Sequence, residues 1–162
     1  MKCCKANKQS TKENLNLNVS KSKVEEYLNK WQHTLRLSDW DIPIKVVNAK
    51  WRKSGDIKID LEEKKAVLMI NRNSKCENIE ELAVDELLHL KLYGMDQMIE
   101  DLLSTIYDEN EDDGKREFAH TQFVMVLETS VEDVAKGYLT ANGSKKPLSF
   151  NRLQKEIDKE LE

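Results

Sequence analysis

Three polar residues with the spacing of a metal site lie in the segment EELAVDELLHLKLYGMD, residues 80–96. Asp85 and His89 are four residues apart, so a helix places them one turn apart on the same face, with Glu86 about 100° round from Asp85. In the motif HExxH, two histidines at this spacing bind zinc and the intervening glutamate takes a proton from the metal-bound water. Asp85 occupies the position of the first histidine, so the motif here is DExxH.

The residues around this motif indicate that its helix is buried. The helix is apolar on nearly all sides, because leucine or valine stands at positions 84, 87, 88, 90 and 92. A buried acid or imidazole needs a hydrogen-bond partner, an opposite charge or a metal ion, since an isolated buried charge is too costly. Two interpretations are open at this point: a functional polar site, and a structural network in which these side chains satisfy one another.

The same helix and its neighbours resemble the small zincin-like metallopeptidases found in phages and mobile elements. The resemblance rests on the strand KAVLMINR, on the helix ELLHLKLYGMDQMIEDLL and on a first helix that ends in WQHTLRLSDWDI, and it covers most of residues 22–139. In those proteins the motif helix reads VHELLHL, so Glu86 matches the catalytic glutamate, His89 matches the second zinc ligand, and Asp85 replaces the first. The resemblance implies a gluzincin-type fold and a peptidase activity, which hydrolyses peptide bonds.

The resemblance also implies a third metal ligand, a glutamate on a later helix, for which Glu128 in FVMVLETSVEDVAKGYL is the candidate. Helical periodicity supports this choice, because Glu128 lies between Val124 and Val131, near the predicted apolar face. Glu132 lies at the flank of that face, so it is a weaker candidate or a residue that orients the imidazole. His120 also falls on the apolar face and offers a replacement for the missing histidine, although a core or rim position is the commoner role.

Two functions from different classes follow from this ligand set. If Asp85, His89 and Glu128 bind zinc or another divalent ion, two carboxylates make the site harder, and its metal binding weaker, than in the usual zinc hydrolases. An active peptidase would use Glu86 to activate the metal-bound water, and a bordering strand such as KAVLMI would align an extended peptide by edge pairing. The alternative is a catalytically inactive pseudoenzyme that binds a peptide or protein partner. A third possibility is a structural domain in which these acids and histidine come together only by chance. It predicts that Glu128 lies far from His89.

The elements that must position these residues predict an α+β domain with segregated layers. The expected order is a first helix that begins at Ser20 or Ser22 and ends near Ser38, three strands that are most simply antiparallel, and then several helices. The strands are expected in the segments 42–49, 51–60 and 65–70. The helices are expected at 79–93, with Gly94 as the C-terminal cap, at 95–107, at 115–139, where Gly137 and residues 142–147 break the pattern, and at 149–161.

Composition divides the chain into a polar tail at 1–19 that we expect to be disordered, a zincin-like domain at 20–140 and a charged C-terminal segment at 141–162. The net charge of −4 argues against a nucleic-acid partner, and no apolar run is long enough to span a membrane. The N-terminus lacks the apolar core of a signal peptide, and the cysteines are three in number. We therefore expect a cytoplasmic protein with free thiols.

Other chemistries have weaker support. The five glycines form no phosphate-binding loop, and no serine lies in a nucleophile elbow. Cys76 has no evident activating partner and is expected to be structural. The run DENEDD at 108–113 is expected to be a solvated loop, with attraction of calcium or a partner as the alternative. Trp31, Trp40 and Trp51 are expected to anchor the first helix against the sheet.

Overall fold

The computed structural model describes residues 19–74, 76–107, 114–148 and 151–161. The predicted tail up to residue 18, the acidic run at 108–113 and the cysteines at positions 3 and 4 lie outside the described residues. The elements in chain order are α1 (Lys21–Thr34), β1 (Ile44–Val47), β2 (Gly55–Asp60), β3 (Lys65–Asn71), α2 (Ile79–Ile106), α3 (Lys115–Ala141) and α4 (Asn151–Glu160). This order confirms the α+β class.

The first helix, α1, begins after Ser20, whose φ of −80° and ψ of 131° are those of extended chain. Its apolar residues recur every three or four positions, so one face of the helix is buried. The helix ends at Thr34, earlier than the predicted Ser38, because Arg36 adopts a left-handed conformation with φ of 57° that a helix cannot continue. The buried residues of α1 are Val24, Tyr27, Leu28 and Trp31.

The three predicted strands are confirmed, but the prediction that they are antiparallel is wrong for one of the two pairings. The strand order is β1-β3-β2, with β2 antiparallel and β1 parallel to β3. Alternation of apolar and polar residues indicates a strand but not its direction, which depends on the path between strands. Here the chain passes from β1 to the far edge of the sheet to form β2, and then turns back into the centre as β3. Within the described residues, the outer edge of β2 has no partner strand.

Helix α2 is continuous over 28 residues, whereas the sequence predicted two helices. Asn78 caps its N-terminus, because its side chain accepts a hydrogen bond from the backbone N–H of Glu81 at 3.3 Å. Gly94 was expected to cap the end of the first of the two helices, but it lies inside α2. Glycine within a helix costs only about 1 kcal/mol relative to alanine, so a single glycine does not stop a helix whose flanking turns favour it.

Helix α3 confirms the predicted long helix at 115–139 and extends it to Ala141. Gly137 does not interrupt it, contrary to the prediction. Asn142 caps the C-terminus of α3, and Gly143 follows in the left-handed conformation with φ of 71°. Helix α4 forms within the predicted terminal segment.

Helix α2 lies at the centre of the domain, since it packs against α1, against β2 and β3, and against α3. The core therefore lies between the sheet and the helices, as expected for segregated layers. Within the described part of the chain, none of the helices combines the length and the apolar character that crossing a membrane requires. The largest fully buried side chains include Trp31, Leu68, Ile70, Leu87 and Leu139.

Candidate functional site

A pocket of about 430 Å³ lies where β2 faces the middle of α2 and the adjoining part of α3. All four residues that the sequence assigned to the site contribute to its walls, namely Asp85, Glu86, His89 and Glu128. The strand at this pocket is β2, not KAVLMI as predicted. KAVLMI belongs to β3, which is paired on both sides and has no edge to offer a peptide.

Carboxylates from two helices meet at the imidazole of His89. Its Nε2 lies 3.5 Å from Oε1 of Glu128 and 3.8 Å from Oδ2 of Asp85. The first distance joins α2 to α3, and the second spans one turn of α2. The side chain of His89 is 23% exposed, that of Asp85 28% and that of Glu128 47%, so the cluster forms the wall of an open pocket. The large separation of Glu128 from His89 expected of an incidental cluster is not found.

Glu86 is the most enclosed of the four residues, with only 8% of its surface exposed. It has no hydrogen bond to another described residue. A Cβ atom added to Gly55 would lie 2.7 Å from Oε1 of Glu86 and 3.0 Å from Cδ1 of Leu82. Because glycine has no side chain, position 55 leaves room for the carboxyl group of Glu86.

Burial and neighbouring negative charges raise the pKa of both acids on α2. Burial, followed by the carboxylates of Glu128 and Glu132, raises the pKa of Asp85 to about 7. Burial, followed by the charges of Asp85 and Asp56, raises the pKa of Glu86 to about 8. A positive charge beside these groups would favour their ionised forms and lower both pKa values. The electrostatics of the pocket therefore suit a cation.

The donor set at His89 fits a divalent metal ion in its chemistry and in part of its geometry. Within the described ranges, no three His, Cys, Asp or Glu side chains stand in the arrangement of a metal site. Ligand atoms around a tetrahedral zinc are nevertheless roughly 3.4 Å apart, as follows from bonds of about 2.1 Å. The separations of Nε2 of His89 from Oε1 of Glu128 and from Oδ2 of Asp85 come close to this value. Asp85, His89 and Glu128 thus offer two carboxylates and an imidazole, which are donor types that divalent ions accept.

The two further site candidates lie outside this pocket. Nε2 of His120 lies 2.6 Å from Oε1 of Glu100, near the other end of the α2–α3 pair, so His120 does not replace the missing histidine in this arrangement. Glu132 forms an ion pair with Lys136 one turn along α3. It therefore bears on the site through its charge, which acts on Asp85, and not by ligating or orienting His89.

Several pocket residues were missed by the sequence analysis, namely Lys53, Gly55, Asp56, Tyr93 and Asp96. Tyr93 lies four residues after His89 within the predicted helix, so it could have been found on the same helical face. Asp96 would have required that face to be extended beyond Gly94, which the predicted stop at Gly94 prevented. The residues around Gly55 carry no comparable signal, because their place at the pocket depends on β2 being an edge strand.

The remaining predictions concern residues away from the pocket. Burial raises the pKa of the Cys76 thiol to about 11, which suits a structural thiol and not a nucleophile. Trp31 is fully buried, and its Nε1 donates a hydrogen bond to Oε1 of Glu80 at 3.0 Å. Trp40 packs against the edge of the core. The anchoring role expected of Trp31 thus includes a link to the start of α2 as well as contact with the core.

Comparison of the chain with known proteins gives no match, whether with family models, with curated proteins or with solved structures.

Proposed function

We propose that this chain is a zincin-like metallopeptidase that hydrolyses peptide bonds, with Glu86 as its general base and Asp85, His89 and Glu128 as ligands of zinc or another divalent ion. The observation that carries the proposal is the approach of His89 to carboxylates from two helices, beside a buried carboxyl group without a hydrogen-bond partner among the described residues. The resemblance of DELLH and its flanking elements to phage and mobile-element metallopeptidases supports the same conclusion. A cytoplasmic location is part of the proposal.

The residues of the pocket divide the reaction between them. A bound divalent ion would polarise the peptide carbonyl and make a water molecule more acidic. Glu86 takes a proton from the attacking water as the carbon–oxygen bond forms, and delivers it to the leaving nitrogen as the carbon–nitrogen bond breaks. The outer edge of β2, with which no described strand pairs, holds the extended substrate by backbone hydrogen bonds.

The test measures the metal content of protein purified without chelator, together with cleavage of an unfolded substrate such as casein. We expect about one divalent ion per chain and cleavage that a chelator abolishes. Glu86→Gln should keep the metal and lower turnover by at least about a hundredfold, because it removes the general base. His89→Ala should lose both the bound metal and the cleavage activity. The matched control His120→Ala should keep both. Cleavage that persists in Glu86→Gln would contradict the mechanism.

The second candidate is a pseudoenzyme that binds a peptide or protein without turnover. It is favoured by Asp85, which replaces the first histidine of the motif with a shorter side chain. This alternative predicts no metal in the purified protein and no cleavage. Recovery of zinc binding on Asp85→His, from a wild-type protein that holds none, would support it and remove the peptidase.

A further inference from the structure

Beyond His89, the pocket continues along α2 to Asp96. These two residues are seven positions apart, which places them on the same helical face and roughly 10 Å apart along the helix axis. Asp96 and Tyr93 both line the pocket, and Asp96 is half-buried. The pocket therefore has a second acidic position, well separated from the carboxylates that face the imidazole.

Other acids of the pocket already lie beside basic side chains or an imidazole. Asp56 lies 3.2 Å from Nζ of Lys53 and 2.6 Å from Nζ of Lys58, and these contacts hold its pKa below the usual value although burial acts in the opposite direction. Asp85 and Glu128 face His89. Asp96 has neither an ion pair nor a hydrogen bond with another described residue.

A second observation indicates that the pocket is built around a ligand. Glu86 opens into the same pocket, is more than nine-tenths buried, and lacks a hydrogen-bond partner among the described residues. Leaving a buried polar group unpaired is costly, so such groups mark places that a ligand or ion completes. The acidic position at Asp96 thus belongs to a formed pocket and is not an isolated surface charge.

Resting on the proposed function, we infer that the pocket selects peptides that carry a lysine or arginine, whose cationic group pairs with Asp96. A separation of roughly 10 Å corresponds to about three residues of extended chain, so the selected residue lies a few positions from the bond that is cut. Arginine and lysine side chains can reach a half-buried carboxylate from a backbone held elsewhere in the pocket. Arginine has the further advantages of a bidentate contact with the carboxylate and of stacking on the neighbouring Tyr93.

The experiment measures binding and does not depend on turnover. Full-length Glu86→Gln protein, supplied with zinc chloride, is titrated into fluorescent decapeptides that differ only in carrying arginine, lysine, glutamine or glutamate at one position at a time. Affinity is followed by fluorescence anisotropy. The same titrations are repeated with Asp96→Asn added, and with the matched control Asp101→Asn, which removes an exposed acid of α2 outside the pocket. Cleavage of the same peptides by the wild-type chain is measured in parallel.

We expect the arginine and lysine peptides to bind about tenfold more tightly than the glutamine peptide at the preferred position. Asp96→Asn should remove this preference, and Asp101→Asn should leave it within twofold. Equal binding of basic and neutral peptides, equal effects of the two substitutions, or no binding at all would overturn the inference.

The outcomes for selectivity and for hydrolysis are separable. Cleavage without a basic preference would overturn the inference and leave the proposed hydrolysis standing. Binding that depends on Asp96, without cleavage by the wild-type chain, would support the inference and contradict the hydrolysis.

Discussion

Gly55 and Glu86 form a contact between β2 and α2 that defines the position of the proposed general base. The space that a side chain at position 55 would fill is taken by the carboxyl group of Glu86 and by Leu82. General acid–base chemistry requires the proton-transfer group to lie within hydrogen-bond reach of the water that it activates. A displacement of about 1 Å at this contact is therefore expected to matter more for reaction than for folding.

Gly55→Ala should lower the turnover of the proposed hydrolysis more than tenfold while changing the melting temperature by only a few degrees. The closest atom to the added methyl group is the end of a flexible side chain, so Glu86 can rotate away at small cost in stability. Peptide cleavage and thermal unfolding measure the two effects. The ¹³C carboxyl resonance of Glu86 reports the displacement independently of activity.

The control for this substitution is Gly94→Ala, because an added methyl group at position 94 meets no atom within 4 Å. Its activity and the Glu86 resonance should match those of the wild-type chain. An unchanged resonance in Gly55→Ala would contradict the role assigned to Gly55.

At the scale of elements, the continuity of α2 through Gly94 brings Asp96 onto the face that carries Asp85 and His89. Gly94 is exposed and lies within the helix, where glycine loses more conformational freedom on folding than alanine does. Gly94→Ala should therefore raise the free energy of unfolding by about 0.5–1 kcal/mol. Gly94→Pro should lower it by about 3 kcal/mol.

Denaturant unfolding followed by circular dichroism measures these changes. The informative result is whether Gly94→Ala raises or lowers the free energy of unfolding. If a helix ended at this position with a left-handed residue, alanine there would destabilise the protein. Destabilisation by Gly94→Ala would thus contradict a continuous α2.

Periodicity sufficed to predict which segments are helical and the position of the acids relative to His89, because both depend on the geometry of a helix. It did not predict that α2 continues through Gly94, because glycine was interpreted as a stop. The approach of Glu128 to His89 was also predictable, since the apolar face of α3 fixes which side turns toward α2. The direction of β1 and the edge position of β2 could not be predicted. Strand pairing joins residues far apart in sequence, and alternation is the same for either strand direction. For the same reason, Gly55 could not be connected with Glu86.

At the scale of the whole molecule, Glu80 links the start of the site helix to two other parts of the chain. Its carboxylate accepts hydrogen bonds from Lys30 at 2.8 Å, from Trp31 at 3.0 Å and from Lys146 at 3.3 Å. Burial acts to raise the pKa of Glu80, but these hydrogen bonds outweigh it and hold the pKa below the usual value of 4.5. The carboxylate therefore connects α1, α2 and the segment after α3.

Glu80→Gln should lower the free energy of unfolding at pH 7 by about 2 kcal/mol, because charge-assisted hydrogen bonds are lost in a buried position. Since the folded-state pKa lies below the unfolded value, the ionised group stabilises the protein fully above pH 4.5, and this contribution is lost as the pH falls through the folded-state pKa. The difference between the two proteins should accordingly shrink in acid. Urea unfolding from pH 3 to pH 7 measures it.

The exposed Glu77 provides the matched control, and Glu77→Gln should change stability by less than about 0.5 kcal/mol at any of these pH values. A difference between Glu80→Gln and the wild-type chain that grows as the pH falls would contradict the stabilising role of the ionised carboxylate.

The outer edge of β2, to which no described strand pairs, also bears on aggregation of the protein. A strand with open backbone donors and acceptors is a template for fibril growth, in which identical segments stack in register. Asp56, Lys58 and Asp60 alternate with Ile57 and Ile59 along this strand. In a parallel, in-register stack every one of these charges would face its own copy, so electrostatic repulsion opposes fibril formation while a foreign peptide of different sequence remains acceptable.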